Sequence, residues 1–441
     1  MRFRGLLVGV VLLIALGVGL YISNKRQAAE ALKPPAEKSP KILALNVTDI
    51  TKIALKKKDQ EGIVLEKTGG KWQITGPKPF PADQDAVNQL AMSAGAVNSD
   101  SVVEEKGTDL PSFGLAPPGL EVDITGKGGK TSQLKIGDDT PTSSGSYAVL
   151  EGDPRVFTIA SYVKTGLGKS LNDLRDKRLL TFEQDKLSRV ELSAKKQDIE
   201  FGRDKDHWEI VKPKPLRADG LQVDELLRKL KDAKMDLSVS DEDAKKAASA
   251  FASGTPVATV KLTDTAGTQQ IEIHKNKDDF YARSSIVPGV FKVMPELGVG
   301  VDKGLEDFRN KKLFDFGFMD PNKVEMHIEG KFYGFQHTNE DWWSNGKKMD
   351  PTSVQSLLDK LRDFSASKFI DTGSFPAATT DVTVTSSDGK VVEKLLIAKQ
   401  GSDYIAKRDN EPALYGLEAN TVNDLSKAAS DVKPAPPPAK K

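Results

Sequence analysis

The sequence predicts an α+β protein: three tandem repeats, each an antiparallel sheet with a capped amphipathic helix, behind one N-terminal transmembrane helix. Three observations predict it. A strand-and-helix pattern recurs around the tryptophans, a second marker recurs with nearly the same period, and a long uncharged apolar run opens the chain.

The recurring pattern reads as strand, turn and helix. In His207-Trp208-Glu209-Ile210 the Trp and Ile lie on one strand face, because side chains alternate with period two. Asp219 follows, and Val223, Leu226, Leu227 and Leu230 after it mark one face of a helix. Lys71-Trp72-Gln73-Ile74 has the same sequel in Asp83, Val87, Leu90, Ala91 and Ala94, and Trp342-Trp343 leads to Asp350, Val354, Leu357, Leu358 and Leu361. Each Asp suits an N-cap, where its carboxylate accepts backbone N–H bonds at the positive end of the helix dipole. Pro351 sits where a first helical residue can be proline without losing a bond. Three matched Asp could also be read as a ligand site, but capping alone accounts for their type and place.

The second marker is Leu171-Asn172-Asp173-Leu174-Arg175-Asp176-Lys177-Arg178-Leu179-Leu180. It matches Leu305-Glu306-Asp307-Phe308-Arg309-Asn310-Lys311-Lys312-Leu313-Phe314 at an offset of 305 − 171 = 134, close to the tryptophan offset of 208 − 72 = 136. Val422-Asn423-Asp424-Leu425 begins it a third time. Its Arg and Lys read as solvated flanks of a connecting helix or turn, with a lipid-facing basic strip as the alternative. These markers place repeat unit one at 42–178, unit two at 179–312 and unit three at 313–430. In each, two or three strands precede the capped helix and a second set follows; in unit one these are 53–56, 63–67 and 71–74, then 120–125, 131–136, 147–150 and 156–159. Gly126-Lys127-Gly128-Gly129, Asp264-Thr265-Ala266-Gly267 and Ser386-Ser387-Asp388-Gly389 fit hairpin turns, so the strands they join are antiparallel.

Ahead of the units, Arg2 and Arg4 precede the uncharged run 5–22, which as a helix would be about 27 Å long against a hydrocarbon core of about 30 Å. A short basic head followed by one apolar segment behaves as a secretory signal, and Gly17-Val18-Gly19 is a poor cleavage site. The expectation is an uncleaved single-pass signal-anchor: 1–4 cytoplasmic, 5–22 transmembrane, the bulk periplasmic or extracytoplasmic. Segment 23–41 reads as a Pro-rich linker and 431–441 as a disordered Pro-rich tail.

Composition narrows the function classes. Lys plus Arg number 64 and Asp plus Glu 63, so no net field draws the molecule to nucleic acid. The absence of cysteine excludes disulfides, thiolate metal sites and a cysteine nucleophile. Gly168-Lys169-Ser170 resembles the end of a phosphate-binding loop, but Val163 stands where that motif needs glycine. His207, His274, His327 and His337 lack metal-ligand spacing; only His327 and His337 are near one another, across an expected hairpin. No Gly-x-Ser-x-Gly elbow is present. No catalytic, cofactor-binding or metal residue is assigned, and no cofactor is expected. Trp342 and Trp343, with Phe332, Tyr333 and Phe335, could stack on a sugar ring, although successive strand residues face opposite ways and one Trp at most can join such a platform. Trp72 and Trp208 read as core.

The order Trp-x-Ile, Asp-x-x-x-Val-x-x-Leu, Phe113-Gly114-Leu115 with Pro117, Leu134-Lys135-Ile136-Gly137, Tyr147-Ala148-Val149 and Asp173-Leu174-Arg175-Asp176-Lys177 resembles a bacterial envelope family. It is catalogued as domain of unknown function forty-three-forty, here in three copies. Unit two lacks the Phe-Gly-Leu element, and unit three has Trp342-Trp343-Ser344-Asn345-Gly346 in place of Trp-x-Ile. The resemblance implies a single-span protein of the bacterial inner membrane that accompanies a gliding-type ABC export system, with an ABC-type permease and ATPase as partners. The expected function is that of a non-enzymatic, membrane-anchored extracytoplasmic scaffold or accessory subunit. The alternative is an envelope binding module for cell-wall glycan or a transported polymer.

Overall fold

The computed structural model describes residues 41–205, 207–239, 241–409 and 411–437. The transmembrane segment expected at 5–22 lies outside the described residues, as do 1–4 and all of the linker but Lys41. The described residues fall into two compact units, one ending at Lys177 and the other beginning at Arg178.

The first unit is built on a nine-stranded sheet. Strands Ile50–Lys57, Ile63–Thr68, Lys71–Gly76 and Phe80–Pro81 make an antiparallel meander. The chain then crosses through helix Gln84–Gly95 and returns as Leu120–Gly126 beside Ile50–Lys57, so the two strand sets fuse into one sheet. Thr131–Asp139, Gly145–Leu150 and Val156–Ala160 follow in order, and Ser101–Glu104 closes the edge. The second unit contains two sheets with the same order. In one of eight strands, Arg189–Ala194 lies beside Thr255–Asp264; in one of nine, Lys323–Ile328 lies beside Thr380–Thr385, with Lys368–Ile370 at the edge. All three are antiparallel with a helix on one face, a mixed α+β architecture.

Alternation drives the burial. Trp72 with Ile74 and Trp208 with Ile210 point inward while their neighbours face solvent, and each set meets the apolar stripe of its helix. Those stripes, Val87-Leu90-Ala91-Ala94, Val223-Leu226-Leu227-Leu230 and Val354-Leu357-Leu358-Leu361, are buried throughout. The caps are as expected. Asp83 accepts from the backbone of Asp85 and Ala86, Asp219 from Leu221 and Gln222, and Asp350 from Ser353. The three turns centred on Gly128, Ala266 and Asp388 close antiparallel hairpins.

The residue ahead of each cap makes a further match. Ala82 bridges Arg175, Ala218 bridges Arg309 and Met349 bridges Pro434, all antiparallel. The marker is thus a one-turn helix, Leu171–Leu174 or Leu305–Phe308, that delivers the next residues to a pairing slot beside the cap.

Several expectations need correction. Arg309 is not a solvated flank: it is 3% exposed, because it is enclosed between its own repeat and the third sheet. The third marker, Val422 to Leu425, lies inside a twelve-residue helix, Ala419–Ser430, which packs on helix Pro351–Arg362. Residues 431–437 of the expected disordered tail are placed: Asp350 donates its N–H to the Lys433 carbonyl (2.9 Å) and Ala435 donates to Lys348 (2.9 Å). Residues 438–441 lie outside the described residues. Helix Asp241–Ser253, which the sequence reading did not anticipate, covers the outer face of the second sheet through Phe251, stacked on His274 at 3.8 Å.

Candidate functional site

The densest chemistry lies between the second and third sheets, inside the second compact unit. Strand Leu216–Arg217 ends two residues before the Asp219 cap, and the Arg217 guanidinium reaches into the third sheet's territory. It donates to the Lys312 carbonyl (2.9 Å), Asp315 Oδ1 (2.6 Å) and Glu411 Oε1 (3.3 Å). Arg408 on the third sheet engages Asp315 (3.0 Å), Glu393 (2.9 Å) and Glu411 (2.7 Å). The Asp315 N–H donates to Glu393 (3.0 Å), and the Tyr415 hydroxyl donates to Glu411 (2.6 Å). Burial pushes the Glu393 carboxyl up against the pull of Arg408. Tyr415 is pushed up to about 12, first by burial and then by its bond to Glu411. Burial works to lower the pKa of Arg217, but Asp315 and Glu411 outweigh it and hold the pKa above its ordinary value.

A second cluster flanks the first. Arg309 stacks 3.6 Å over the Phe369 ring and pairs with Glu306 (2.8 Å) and Asp371 (3.2 Å), while Lys214 reaches Asp371 at 3.1 Å. Lys214 and then Arg309 hold the Asp371 carboxyl below the usual range. The charges named in these clusters are engaged with one another, an arrangement that fixes one sheet against the next.

The aromatics of the third sheet divide as strand alternation requires. Trp342 is buried with its ring 5.2 Å from His337, whereas Trp343 is 40% exposed on the open face, opposite Gln336. Phe335 is buried; Phe332 is 51% exposed on that same open face, 4.9 Å from the His327 ring. His327 Nδ1 lies 3.0 Å from Asp381. Phe332 and Gln336, the partner of Trp343, are four residues apart, roughly 13 Å along the strand. Trp72 and Trp208 are both buried, and the Trp72 indole N–H donates to Asn88 (3.1 Å) on its covering helix.

The other motifs resolve into structure. Ser170 of the Gly-Lys-Ser run caps the turn Leu171–Leu174 in a reciprocal box with Asp173. Register separates the two near histidines: His327 lies opposite Phe332, whereas His337 lies beyond the Lys323–Gln336 pair. Among the described residues no group of three His, Asp or Glu is arranged to hold a metal ion. In the first sheet the Phe113 ring packs 4.9 Å from Tyr147, and Gly137 backs onto the Phe113 carbonyl so closely that a Cβ would lie 2.1 Å from its oxygen.

Fold and site together define a class: a chain of antiparallel sheets, each crossed by a capped helix, with clusters of buried and half-buried charge joining the two sheets of the second compact unit. The family model described as Domain of unknown function (DUF4340) matches residues 72–212 and again 208–381, and the chain belongs to that family. The two matches begin at Trp72 and Trp208 and end at residues 212 and 381, so each starts on a tryptophan strand and runs into the sheet that follows. No curated protein and no solved structure matches the chain.

Proposed function

We propose that the protein is a non-enzymatic, membrane-anchored extracytoplasmic scaffold or accessory subunit of a membrane complex, of the ABC-exporter kind with a permease and an ATPase. In this reading 5–22 is the inner-membrane anchor, and 42–178, 179–312 and 313–430 are three copies of one building block. The observation that carries the reading is the repeated construction. The same strand order, the same capped helix and the same bridge beside the cap occur around Ala82, Ala218 and Met349. Within the second unit, the Arg217 and Arg309 clusters fasten one block to the next. A set of repeated blocks with no assigned catalytic residues suits contact with other components better than it suits turnover. The exporter as partner rests on the resemblance of the sequence.

Copurification of the full chain from detergent-solubilised membranes tests it. An associated permease and ATPase are expected, and their absence overturns the exporter reading.

One observation favours a second reading, a module that grips cell-wall glycan or a transported polymer: Phe332 and Trp343 share the open face of the third sheet. Replacing Trp343 with Ala and measuring polysaccharide retention separates the two, since loss of retention without loss of folding supports the module.

A further inference from the structure

Strand alternation sets the outward side chains of the third sheet in rows. In one row Phe332 stands opposite His327, and His327 opposite Asp381; in another Gln336 stands opposite Trp343. The Phe332 ring lies along its own strand toward the second row. A Cβ on Gly334 would come 2.8 Å from its Cε1 atom, so glycine is what leaves room for the ring. Gly334 is two residues from Gln336, which sets the Phe332 ring roughly 7 Å from the row that carries Trp343. Two aromatic rings thus stand near one another on one face of neighbouring strands, both exposed.

Beside the Phe332 ring stands a polar group with a fixed direction. The His327 ring lies 4.9 Å from that of Phe332, and its Nδ1 is 3.0 Å from Asp381 Oδ2. A carboxylate only accepts, so Nδ1 carries the hydrogen and the neutral imidazole is left with Nε2 as an acceptor, on a side chain 57% exposed. The other two sheets do without this arrangement. By register Arg189 of the second sheet matches Lys323 of the third, which puts Ser193, Asp198, Thr259 and Glu209 where the third has His327, Phe332, Asp381 and Trp343. There Ser193 bonds Asp198 (2.6 Å), and Glu200, at the Gly334 position, pairs with Arg189 (2.9 Å) and Lys212 (2.6 Å). In the first sheet Gln73 holds the Trp343 position. The fold therefore requires neither the rings nor the His–Asp pair on this face.

Lys323 and Lys348, the lysines in register with Trp343, are held by Glu325 (2.8 Å) and Asp341 (2.8 Å), which favours an uncharged occupant. A sugar suits both parts of the site, since its C–H face packs on an aromatic plane and its hydroxyls donate beside it. Both planes belong to one sheet face, so a polymer that uses both must lie flat as a ribbon, as β-linked chains of glucose or N-acetylglucosamine do, and not coil as α-linked chains do. We infer, building on the second reading above, that this face holds an uncharged, ribbon-like β-linked glycan. One sugar stacks on Phe332 and donates a hydroxyl to His327 Nε2, while a nearby sugar of the same chain stacks on Trp343.

Calorimetric titration of the full chain in detergent with chitohexaose, and with maltohexaose for comparison, tests this. Wild type is expected to bind chitohexaose, and maltohexaose roughly tenfold or more weakly. Phe332→Ala and His327→Ala should each weaken chitohexaose binding roughly tenfold, and His327→Gln, which keeps an acceptor, should recover part of the loss. Gly334→Val reaches the same loss by displacing the Phe332 ring without removing it. These positions lie at the surface, so the unfolding temperature should not fall. Equal affinity for the two hexamers, or full affinity in the Phe332 and His327 variants, would overturn the inference while leaving the glycan module standing if Trp343→Ala still abolishes polysaccharide retention. Binding of neither hexamer would overturn it as well, and the module falls with it only if the wild-type chain also fails to retain the polysaccharide.

Discussion

At the scale of single residues the buried charges carry the energetics. Arg309 has its guanidinium on Phe369 and two carboxylates at its edge, yet Asp371 is half-exposed and screened, so the stacking and the desolvated position matter most. Arg309→Ala should cost about 1–2 kcal/mol in chemical denaturation, and Arg309→Lys should recover only part, since an ammonium lacks the planar face. Glu393 makes a prediction of the opposite pH sense to most carboxylates. Its folded-state pKa is raised above the ordinary 4.5, so the folded form binds more protons than the unfolded form in that window. Stability from this group falls as pH rises from 4.5 through the raised value. Asp371, with a lowered pKa, contributes stability above 3.8 that is lost as pH falls through its folded value. The difference in stability between Glu393→Gln and wild type, measured by denaturant titration, should shift in favour of the variant between about pH 4.5 and pH 7. A constant difference across that range would contradict the assignment.

At the scale of elements, the close approach at Gly137 is the sharpest constraint. A side chain there meets backbone rather than a movable side chain, so the turn Leu110–Phe113 must shift and take the Phe113–Tyr147 contact with it. Gly137→Ala should destabilise the first unit by roughly 2–4 kcal/mol, visible as a lowered thermal midpoint for that unit alone. The capped helices, the inward tryptophans and the hairpin turns were legible in the sequence, because each depends on neighbours within a dozen residues: Asp219 caps Leu221 and Gln222, and Trp208 alternates with Ile210. The clusters between sheets were not. Arg217 meets Asp315 and Glu411 at sequence separations of 98 and 194, and no local pattern marks a residue for such a meeting. Arg309 was visible as part of a repeated marker, but charge alone placed it in solvent. Helix Asp241–Ser253 went unread because its apolar content is mostly alanine, with Phe251 as its single large anchor.

At the scale of the whole molecule, the two large apolar interiors of the second compact unit are separate, one for each sheet, with a smaller cluster of Ala398, Ile405 and Leu414 on the third, and polar contacts join the two sheets. Cooperativity between them then rests on the Arg217 cluster together with that of Arg309. Removing Arg217 leaves Glu411 and Asp315 to share Arg408, so Arg217→Ala should cost about 3 kcal/mol. In calorimetry the variant should show the second and third sheets melting apart where wild type melts them together, while one unchanged transition would show that the cluster does not couple them.

The slot beside Met349 has a further consequence. In the first two sheets this position receives the strand of the marker; in the third it receives Lys433 to Ala435, with Pro434 directed so that its missing donor is not needed. Filled from the same chain, the backbone beside Met349 is already paired, so this edge of the third sheet presents no open hydrogen-bonding groups there to another strand.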